Sequence, residues 1–299
     1  MSNKKHIELN NQCIMITGAA GFIGFHLVQK LLKELKGIKI IGLDSMTEYT
    51  PIELKKWRLS QCRKAALLYQ ADCSNDTPVN EYIFEKIDIS DKVKLENIFL
   101  KYSPDIVVNL AAQAGVRNSI TDPYSYVNSN LVGMMNILEC CRNRGCSFRH
   151  LVFASSSSVY GGNQKIPFAE NDFVDHPVSL YAATKKSDEL LAYSYSSLYG
   201  IPMTGLRFFT VYGPAGRHDM AYFSFTERLR RNDKIRIFNF GDCRRDFTYI
   251  NDIVEGIFRV IQSPPGKITD DNGFLLPPYS IYNIGNCHPE NLMDFVHIL

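Results

Sequence analysis

Short apolar runs that alternate with amphipathic stretches constrain the fold of this chain more than any other feature of its sequence. Apolar runs predict β-strands over residues 13–17, 38–43, 83–89, 105–112, 149–155 and 203–209. Amphipathic stretches between them predict helices over residues 22–35, 52–69, 126–144 and 180–198. Strands that are apolar on both faces and joined by helices form parallel sheets covered on both sides. The sequence therefore predicts an α/β protein with a doubly wound parallel sheet.

The last hundred residues follow a different pattern, in which short strands lie among helices and proline-rich loops. The short strands predicted there are residues 235–238 and 246–250. We expect residues 1–200 to form one domain, whose sheet also uses 203–212 and parts near 246–260. Residues 213–299 are expected to form a smaller α+β substrate lobe that is truncated at its C-terminus, because the chain ends inside a predicted helix without a cap. Neither domain assignment explains the polar, irregular residues 69–81.

Composition excludes several classes of protein. Of the 299 residues, 45% are hydrophobic, so the chain can bury a large core and is not disordered. The 33 basic residues are balanced by 31 acidic ones, which argues against a nucleic-acid binder. No apolar run is long enough for a membrane span or a signal peptide. The eight cysteines form no C-x-x-C pair, so we expect reduced thiols, no metal site and a cytoplasmic location.

A glycine-rich turn follows the first predicted strand in Thr17-Gly-Ala-Ala-Gly-Phe-Ile-Gly24. Gly18 permits the tight turn, Gly21 lets the backbone approach a pyrophosphate, and Gly24 allows close packing of helix against strand. Asp44 lies 20 residues after Gly24, the spacing of a carboxylate that binds the ribose hydroxyls of a dinucleotide. No arginine follows Asp44 directly, which favours NAD over NADP. A Rossmann-like NAD site is predicted, and the alternative is a strand–helix turn that binds no ligand.

A tyrosine and a lysine four residues apart form the second candidate site. The 16 tyrosines give two such pairs, Tyr82 with Lys86 and Tyr181 with Lys185. The first pair lies in a predicted strand, where four residues separate the side chains by about 13 Å. The second lies in a predicted helix, where both side chains share one face and an ammonium favours the phenolate that acts as a general base. Ser156, 25 residues before Tyr181, ends the fifth predicted strand and can donate to a substrate oxygen.

Taken together, these motifs resemble those of extended short-chain dehydrogenases/reductases, in the nucleotide-sugar epimerase/dehydratase group. The turn at 17–24 is similar to the TGxxGFIG motif of that family. Further similar segments are residues 88–89, 109–112 and 130–133. Within the group, the UDP-glucuronate 4-epimerases are the most similar, on residues 111–117, 155–161, 176–185, 206–214 and 245–252.

The resemblance implies the roles of individual residues. Tyr181, Lys185 and Ser156 fall on the catalytic positions. The implied cofactor-binding residues are Gly18, Gly21, Phe22, Ile23, Gly24, Asp44, Asp88, Ile89, Leu110, Ala111, Ala112, Asn130, Tyr181, Lys185 and Phe208. For the diphosphate of a UDP-sugar we expect the arginines 245 and 217, and less strongly Arg117, because guanidinium groups suit phosphate oxygens. For a sugar carboxylate we expect the hydroxyls of Ser157 and Thr210. Many relatives of this type form homodimers.

The function implied is inversion at C4 of a UDP-sugar, with UDP-glucuronate converted to UDP-galacturonate through a transient 4-keto sugar and bound NAD. Sugar 4,6-dehydratases carry an Asp-Glu pair after the catalytic hydroxyl, whereas this chain has Ser157-Ser158. That difference favours epimerisation. One alternative is epimerisation of neutral UDP-glucose or UDP-N-acetylglucosamine. An alternative of another class is a non-catalytic NAD-binding protein, which the abrupt C-terminus suggests.

Overall fold

The computed structural model describes residues 6–71, 78–237, 239–270 and 272–299. Its strands are β1 Cys13–Thr17, β2 Lys39–Asp44, β3 Glu81–Lys86, β4 Ile106–Asn109, β5 His150–Ser156, β6 Met203–Phe208, β7 Thr210–Tyr212, β8 Arg244–Tyr249, β9 Ile268–Thr269, β10 Leu275–Leu276, β11 Tyr279–Ile284 and β12 Pro289–Asn291. Its α-helices are α1 Phe22–Glu34, α2 Ile52–Ala71, α3 Lys92–Tyr102, α4 Asn118–Thr121, α5 Pro123–Tyr126, α6 Gly133–Arg144, α7 Leu180–Tyr199, α8 Ala221–Arg230, α9 Ile250–Ile261 and α10 Leu292–Ile298. None of the helices in these ranges is both long and apolar enough to cross a bilayer.

Seven parallel strands form the large sheet, in the order β11-β6-β5-β4-β1-β2-β3. The chain builds outward from β1 through β2 to β3 and then crosses back to place β4 on the other side of β1. This reversal leaves a crevice at the carboxyl ends of β1 and β4, where sheets of this kind bind ligands. The predicted doubly wound, Rossmann-like sheet is confirmed.

Two apolar layers cover the faces of this sheet. One layer packs α1 and α9 against it and includes Leu27, Leu31 and Ile257, all fully buried. The other packs α3, α6 and α7 against the opposite face, with Ile137 and Ala192 fully buried. Helices on both faces explain why the central strands are apolar throughout their length. The strand ends are thereby held rigidly at the crevice.

Two segments differ from their predicted form. The helix predicted over 126–144 starts at the last residue of α5, passes through a π-helical turn over Val127–Val132 and continues as α6. In that turn, the side chains of Asn128 and Asn130 bond Ser90 and the Gln113 backbone, outside the helix. The strand prediction for 235–238 is wrong for residues 235–237, which are irregular; residue 238 lies outside the described residues. The stretch 69–81 includes the end of α2 and the start of β3, and its residues 72–77 lie outside the described residues.

The C-terminal part of the chain contributes to more than one layer. A small sheet of β12-β8-β7 stands beside the crevice, and β9 pairs with β10. However, β11 joins the edge of the large sheet and α9 covers one of its faces. The large sheet contains strands from both residues 1–200 and residues 213–299. The predicted division into two domains at this place stays a prediction.

Candidate active site

A cavity of about 400 Å³ opens at the carboxyl ends of the central strands. That volume is within the range of small-molecule sites. The predicted site residues that line it are Gly18, Gly21, Phe22, Ile23, Gly24, Asp44, Asp88, Ile89, Leu110, Ala111, Ala112, Ser156, Ser157, Tyr181, Lys185, Phe208, Thr210 and Arg217. Residues from distant parts of the chain therefore meet in one place because the strands that carry them end at the same edge of the sheet.

The glycine turn fits a dinucleotide closely. Gly18 has a φ of +68°, which L side chains rarely adopt. A Cβ on Gly24 would lie 2.3 Å from the Gly18 carbonyl oxygen, and one on Gly21 would lie 2.9 Å from it. Only glycine therefore lets β1 turn this tightly into α1, whose first backbone N–H groups face the cavity as an anion site. These residues would hold the pyrophosphate of NAD.

Asp44 ends β2 at the adenosine end of this site and is paired with a lysine. Its Oδ1 accepts a hydrogen bond from the Met46 N–H at 2.8 Å and from Lys55 Nζ at 3.0 Å. Both charged side chains of the pair are only 7% exposed, and both line the cavity. The second carboxylate oxygen can accept from ribose hydroxyls, which fits NAD. The sequence reasoning missed Lys55, which comes from α2.

Arg58, one turn further along α2, joins the glycine turn to the loop on the other side of the cavity. Its guanidinium donates to the carbonyl oxygens of Ala20 at 2.9 Å, Ala215 at 2.7 Å and Gly216 at 3.1 Å. The residue is 1% exposed, and burial lowers the pKa of Arg58 to about 10. Arg58 therefore fixes the loop that precedes Arg217 relative to the predicted pyrophosphate site.

Tyr181 and Lys185 lie on the first turns of α7, which begins where the Ser179 side chain caps the Ala182 N–H. The pair shares one helix face, as predicted, and both side chains reach the cavity. Lys185 Nζ donates to Asp188 Oδ2 at 3.0 Å. The aromatic ring of Tyr126 meets the Tyr181 ring edge-on at 6.2 Å. The contact with Tyr126 holds the Tyr181 phenol at the wall of the cavity.

The four consecutive serines 155–158 have two different roles. Ser155 donates to Glu189 at 2.6 Å, and Glu189 is also paired with Arg207 at 2.8 Å, so this hydroxyl braces β5 against α7. Ser156 is 8% exposed and donates to Ser158 Oγ at 3.1 Å within the cavity wall. This hydroxyl can turn from Ser158 to a substrate oxygen. The run is explained by one structural serine followed by hydroxyls that line the cavity.

Arg217 is held by a carboxylate and a phenol. Its Nε and Nη2 donate to the two oxygens of Asp219 at 3.0 and 2.6 Å, and Nη2 also donates to Tyr49 at 3.0 Å. Burial lowers the pKa of Arg217, but the Asp219 hydrogen bonds outweigh it and raise that pKa above its ordinary value. A Cβ on Gly115 would lie 3.7 Å from Arg217 Nη2 and 3.8 Å from the hydroxyl of Tyr126, whose ring contacts that of Tyr181, so Arg217 lies at the same end of the cavity as the phenol. A guanidinium that stays protonated, with Asp219 as its counter-ion, therefore lies near the phenol.

Three predicted site residues lie away from the cavity. Asn130, in the π-helical turn, bonds the Gln113 backbone at 2.8 Å and Thr184 at 2.9 Å, and so braces the loop after β4 against α7. Arg117 is exposed at the start of α4. Arg245 is exposed on β8, where its Nη1 donates to the Arg244 carbonyl at 2.9 Å. Their binding roles stay predictions, and the cavity does not include them.

Sequence reasoning also missed residues that line or support the cavity: Thr47, Tyr49, Thr50, Lys55, Gln113, Gly115, Ser129 and Met220. Gly115 gives a usable signal, since its φ of +102° requires glycine and a Cβ there would lie 3.0 Å from the Tyr49 hydroxyl. Asp219 could have been noticed because it follows Arg217 by two residues. Lys55 and Arg58 carry no local signal, since basic residues on an amphipathic helix usually face water.

Comparison with known proteins gives a consistent result. The chain matches the NAD dependent epimerase/dehydratase family over residues 14–285. It is 48% identical to the protein CapI of Staphylococcus aureus over 96% of this chain and 82% of that one. It is 42% identical to a probable UDP-glucuronate 4-epimerase of Rhizobium meliloti, over 94% of this chain and 80% of the relative. A crystal structure of UDP-glucuronic acid 4-epimerase from Bacillus cereus, with UDP-glucuronic acid and NAD, superposes with a TM-score of 0.78 at 30% identity, covering 96% of this chain and 81% of that one. The chain is therefore a member of the NAD dependent epimerase/dehydratase family.

Proposed function

We propose that this enzyme is an NAD-dependent 4-epimerase that converts UDP-glucuronate to UDP-galacturonate. The observation that carries the proposal is the meeting of Tyr181, Lys185 and Ser156 with the glycine turn in one cavity. The positions that carry an acid pair in sugar 4,6-dehydratases are serines here, at 157 and 158. Such a site has a base for an alcohol proton but no acid to drive elimination.

The side chains of this cavity support the proton steps of an epimerase. The Tyr181 phenolate accepts the proton of the C4 hydroxyl, and the Ser156 hydroxyl donates a hydrogen bond to the same oxygen. When bound, NAD supplies the oxidation of C4 and its reversal. After the 4-keto sugar has turned, Tyr181 returns the proton to the C4 oxygen. The Lys185 side chain lies one helical turn along the same face, where an ammonium favours the phenolate.

The position of Arg217 supports a uronate as substrate. In a uronic acid, C6 is separated from C4 by a single ring carbon, whereas the diphosphate is attached at C1 on the far side of the ring. A guanidinium at the same end of the cavity as Tyr181 therefore suits the C6 carboxylate better than the diphosphate. Thr210 and Ser157 line the same cavity and can donate hydroxyl hydrogen bonds to that carboxylate. We accordingly assign Arg217 to the sugar rather than to the diphosphate.

The first experiment is direct. The purified protein is incubated with NAD and UDP-glucuronate, and UDP-galacturonate is identified chromatographically. Tyr181→Phe should lower turnover by about 10³-fold with folding intact. Tyr193→Phe, on the same helix but 45% exposed, is the matched control and should keep turnover. If NAD binds but no sugar nucleotide is converted, the chain is the non-catalytic NAD-binding protein instead.

The second experiment separates uronate from neutral substrates. Rates are compared for UDP-glucuronate, UDP-glucose and UDP-N-acetylglucosamine. Because a charge-assisted hydrogen bond contributes about 1.5–3 kcal/mol, Arg217→Met should lower kcat/KM for UDP-glucuronate by roughly 10- to 100-fold and leave UDP-glucose less affected. Higher kcat/KM for a neutral sugar in the unmodified enzyme would favour that sugar as the substrate.

The proposal includes a homodimer. Outward-facing apolar side chains lie on α7 at Leu190 and Leu198, which are 59% and 69% exposed. Such side chains favour burial against a second copy. Light scattering after size-exclusion chromatography measures the mass, and a single species near 34 kDa would contradict a dimer.

A further inference from the structure

A buried carboxylate that the proposed proton steps do not use lies on the same face of α7 as the reacting pair. Tyr181, Lys185 and Asp188 follow at i, i+4 and i+7, so their side chains are stacked along one face. The ammonium of Lys185 lies 3.0 Å from Asp188 Oδ2, and the two side chains are only 4% and 3% exposed. Among the residues that the structure describes, Asp188 Oδ1 has no hydrogen-bond partner. Lys185 lines the cavity, whereas Asp188 does not.

We propose that Asp188 is a positioning residue, whose carboxylate holds the Lys185 ammonium in place and partly cancels the positive field that this ammonium exerts on Tyr181. The proposal deepens the proposed function and rests on it, because it concerns the same phenol. An epimerase must remove a proton and return it within one cycle. A phenolate that is too stable would slow the return, and a carboxylate behind the lysine limits that stability.

The charges around the pair are consistent with this assignment. Burial raises the pKa of Asp188 to about 6, so its carboxylate is ionised at neutral pH and compensates the ammonium. Glu189 also faces it on α7, but the charge of Glu189 is taken up by Arg207 on β6.

The groups that face Tyr181 itself come from other elements. The phenol of Tyr126 approaches from α5, and burial raises the pKa of Tyr126 to about 12, so that phenol is neutral. Arg217 approaches from the loop after β7 and stays charged throughout. Neither group changes its charge near neutral pH. A change in the field at Tyr181 near that pH can therefore be assigned to the Lys185–Asp188 pair.

The test is an ultraviolet pH titration of phenol ionisation in the NAD-saturated enzyme. Subtracting the titration of Tyr181→Phe, in each background, isolates the phenol of interest. Seven helical residues place Asp188 about 10 Å from Tyr181, and at an effective dielectric constant of 20 one charge at that distance is worth about one pH unit. Asp188→Asn, which keeps the shape of the side chain, should lower the titration midpoint by that amount.

Asp175→Asn is the matched control, because it removes the same charge from a side chain that is 58% exposed and lies 3.6 Å from Lys186. It should leave the midpoint in place, because water screens an exposed charge. The acid limb of kcat against pH should move with the titration in Asp188→Asn. A midpoint that is unchanged or raised in this variant overturns the proposal, since a purely structural role predicts no downward shift.

Asp188→Ser serves as the second variant if Asp188→Asn does not fold, and the same downward shift is expected. The titration requires NAD but no sugar nucleotide. The downward shift can therefore be observed even if no UDP-sugar is converted. Failure of conversion would reject the proposed function, whereas failure of the shift would reject the role of Asp188 alone.

Discussion

The two ends of the cavity each hold a buried lysine–aspartate pair, but they present it differently. At the adenosine end, Asp44 and Lys55 are 3.0 Å apart and both line the cavity. At the reacting end, Lys185 and Asp188 are also 3.0 Å apart, but only the lysine lines it. Of each pair, a ligand therefore meets both charges at the adenosine end, but only the lysine at the reacting end, where Asp188 compensates it from behind.

This difference matches the two tasks. The adenosine end binds without chemistry, so a compensated pair can offer an acceptor to ribose hydroxyls without leaving a net charge in a buried place. The reacting end needs a cation beside a phenol, and a hidden carboxylate makes burial of that cation tolerable. The same pair of residue types thus becomes a binding surface or an electrostatic device, according to which partner the ligand can reach.

The largest effect is expected from removing Lys185, the member of the reacting-end pair that lines the cavity. Lys185→Met should lower turnover by about 10²- to 10³-fold, because the phenolate loses its nearest positive charge and Asp188 becomes an unpaired buried carboxylate. Steady-state kinetics with UDP-glucuronate measure the loss. Lys186→Met is the control: its ammonium lies 3.6 Å from the exposed Asp175 and 3.9 Å from Glu189, which keeps its ion pair with Arg207, so this ammonium should be dispensable. Equal losses in both variants would mean that positive charge in general, rather than its place, matters.

The adenosine end should respond through cofactor choice. Asp44→Ser leaves the ammonium of Lys55 without its carboxylate at the place where Asp44 bound the ribose. A 2′-phosphate could then pair with it, and we expect the preference for NAD over NADP to fall by roughly 100-fold, equivalent to about 2.7 kcal/mol. Isothermal titration calorimetry gives the two dissociation constants.

The double variant Asp44→Ser with Lys55→Met tests the source of that change. It should lose the gain in NADP affinity, because the cation is gone. If NADP binds the double variant as tightly as the single one, Lys55 does not pair with the 2′-phosphate. A ligand would then not meet both charges of the pair at the adenosine end.

How far the sequence predicted these two ends depends on the distance between the partners along the chain. Strand ends and the helical repeat are local, so the places of Gly18, Asp44, Tyr181 and Lys185 followed from spacing alone, and the structure brings them together. The partner of Asp44 lies 11 residues away on α2, and no local pattern marks it.

Longer-range pairing was beyond prediction for the same reason. Arg58 reaches carbonyl oxygens 157 and 158 residues along the chain, at Ala215 and Gly216. The motif match at Asn130 predicted a cofactor contact, which stays a prediction, but it gave no sign of the tertiary bonds to Gln113 and Thr184. Periodicity also misses the π-helical turn, because it does not register one extra residue in a helix.

Arg58 connects the glycine turn to the loop before Arg217, and a substitution there tests how much this bridge stabilises the protein. Arg58→Met leaves three carbonyl oxygens without their donor, and we expect the free energy of unfolding to fall by about 2 kcal/mol. Urea denaturation measures it. Arg63→Met, an exposed arginine of the same helix, should change little. A loss of similar size in Arg63→Met would assign the effect to α2 as a whole rather than to the bridge between the ends.

The smallest expected effect is a pH-dependent contribution of Asp188 to the free energy of unfolding. Burial raises the pKa of Asp188 to about 6 in the folded state, above the value of 3.8 for an ordinary carboxyl group. Between pH 7 and pH 5 the folded protein therefore takes up a proton that the unfolded chain does not, so this residue adds stability as the pH falls and loses it as the pH rises through 6. Asp188→Asn lacks this gain, so its free energy of unfolding relative to the unmodified protein should fall by about 1 kcal/mol between pH 7 and pH 5.

Urea denaturation without NAD at the two pH values measures this difference, with Asp175→Asn as the exposed control. The control should follow the unmodified protein at both pH values, because the Asp175 side chain is 58% exposed and water screens its charge. If Asp188→Asn also follows it, water reaches Asp188 as freely as it reaches Asp175. Asp188 would then be no less accessible to water than Asp44. The two ends of the cavity would differ only in where the carboxylate of each pair lies.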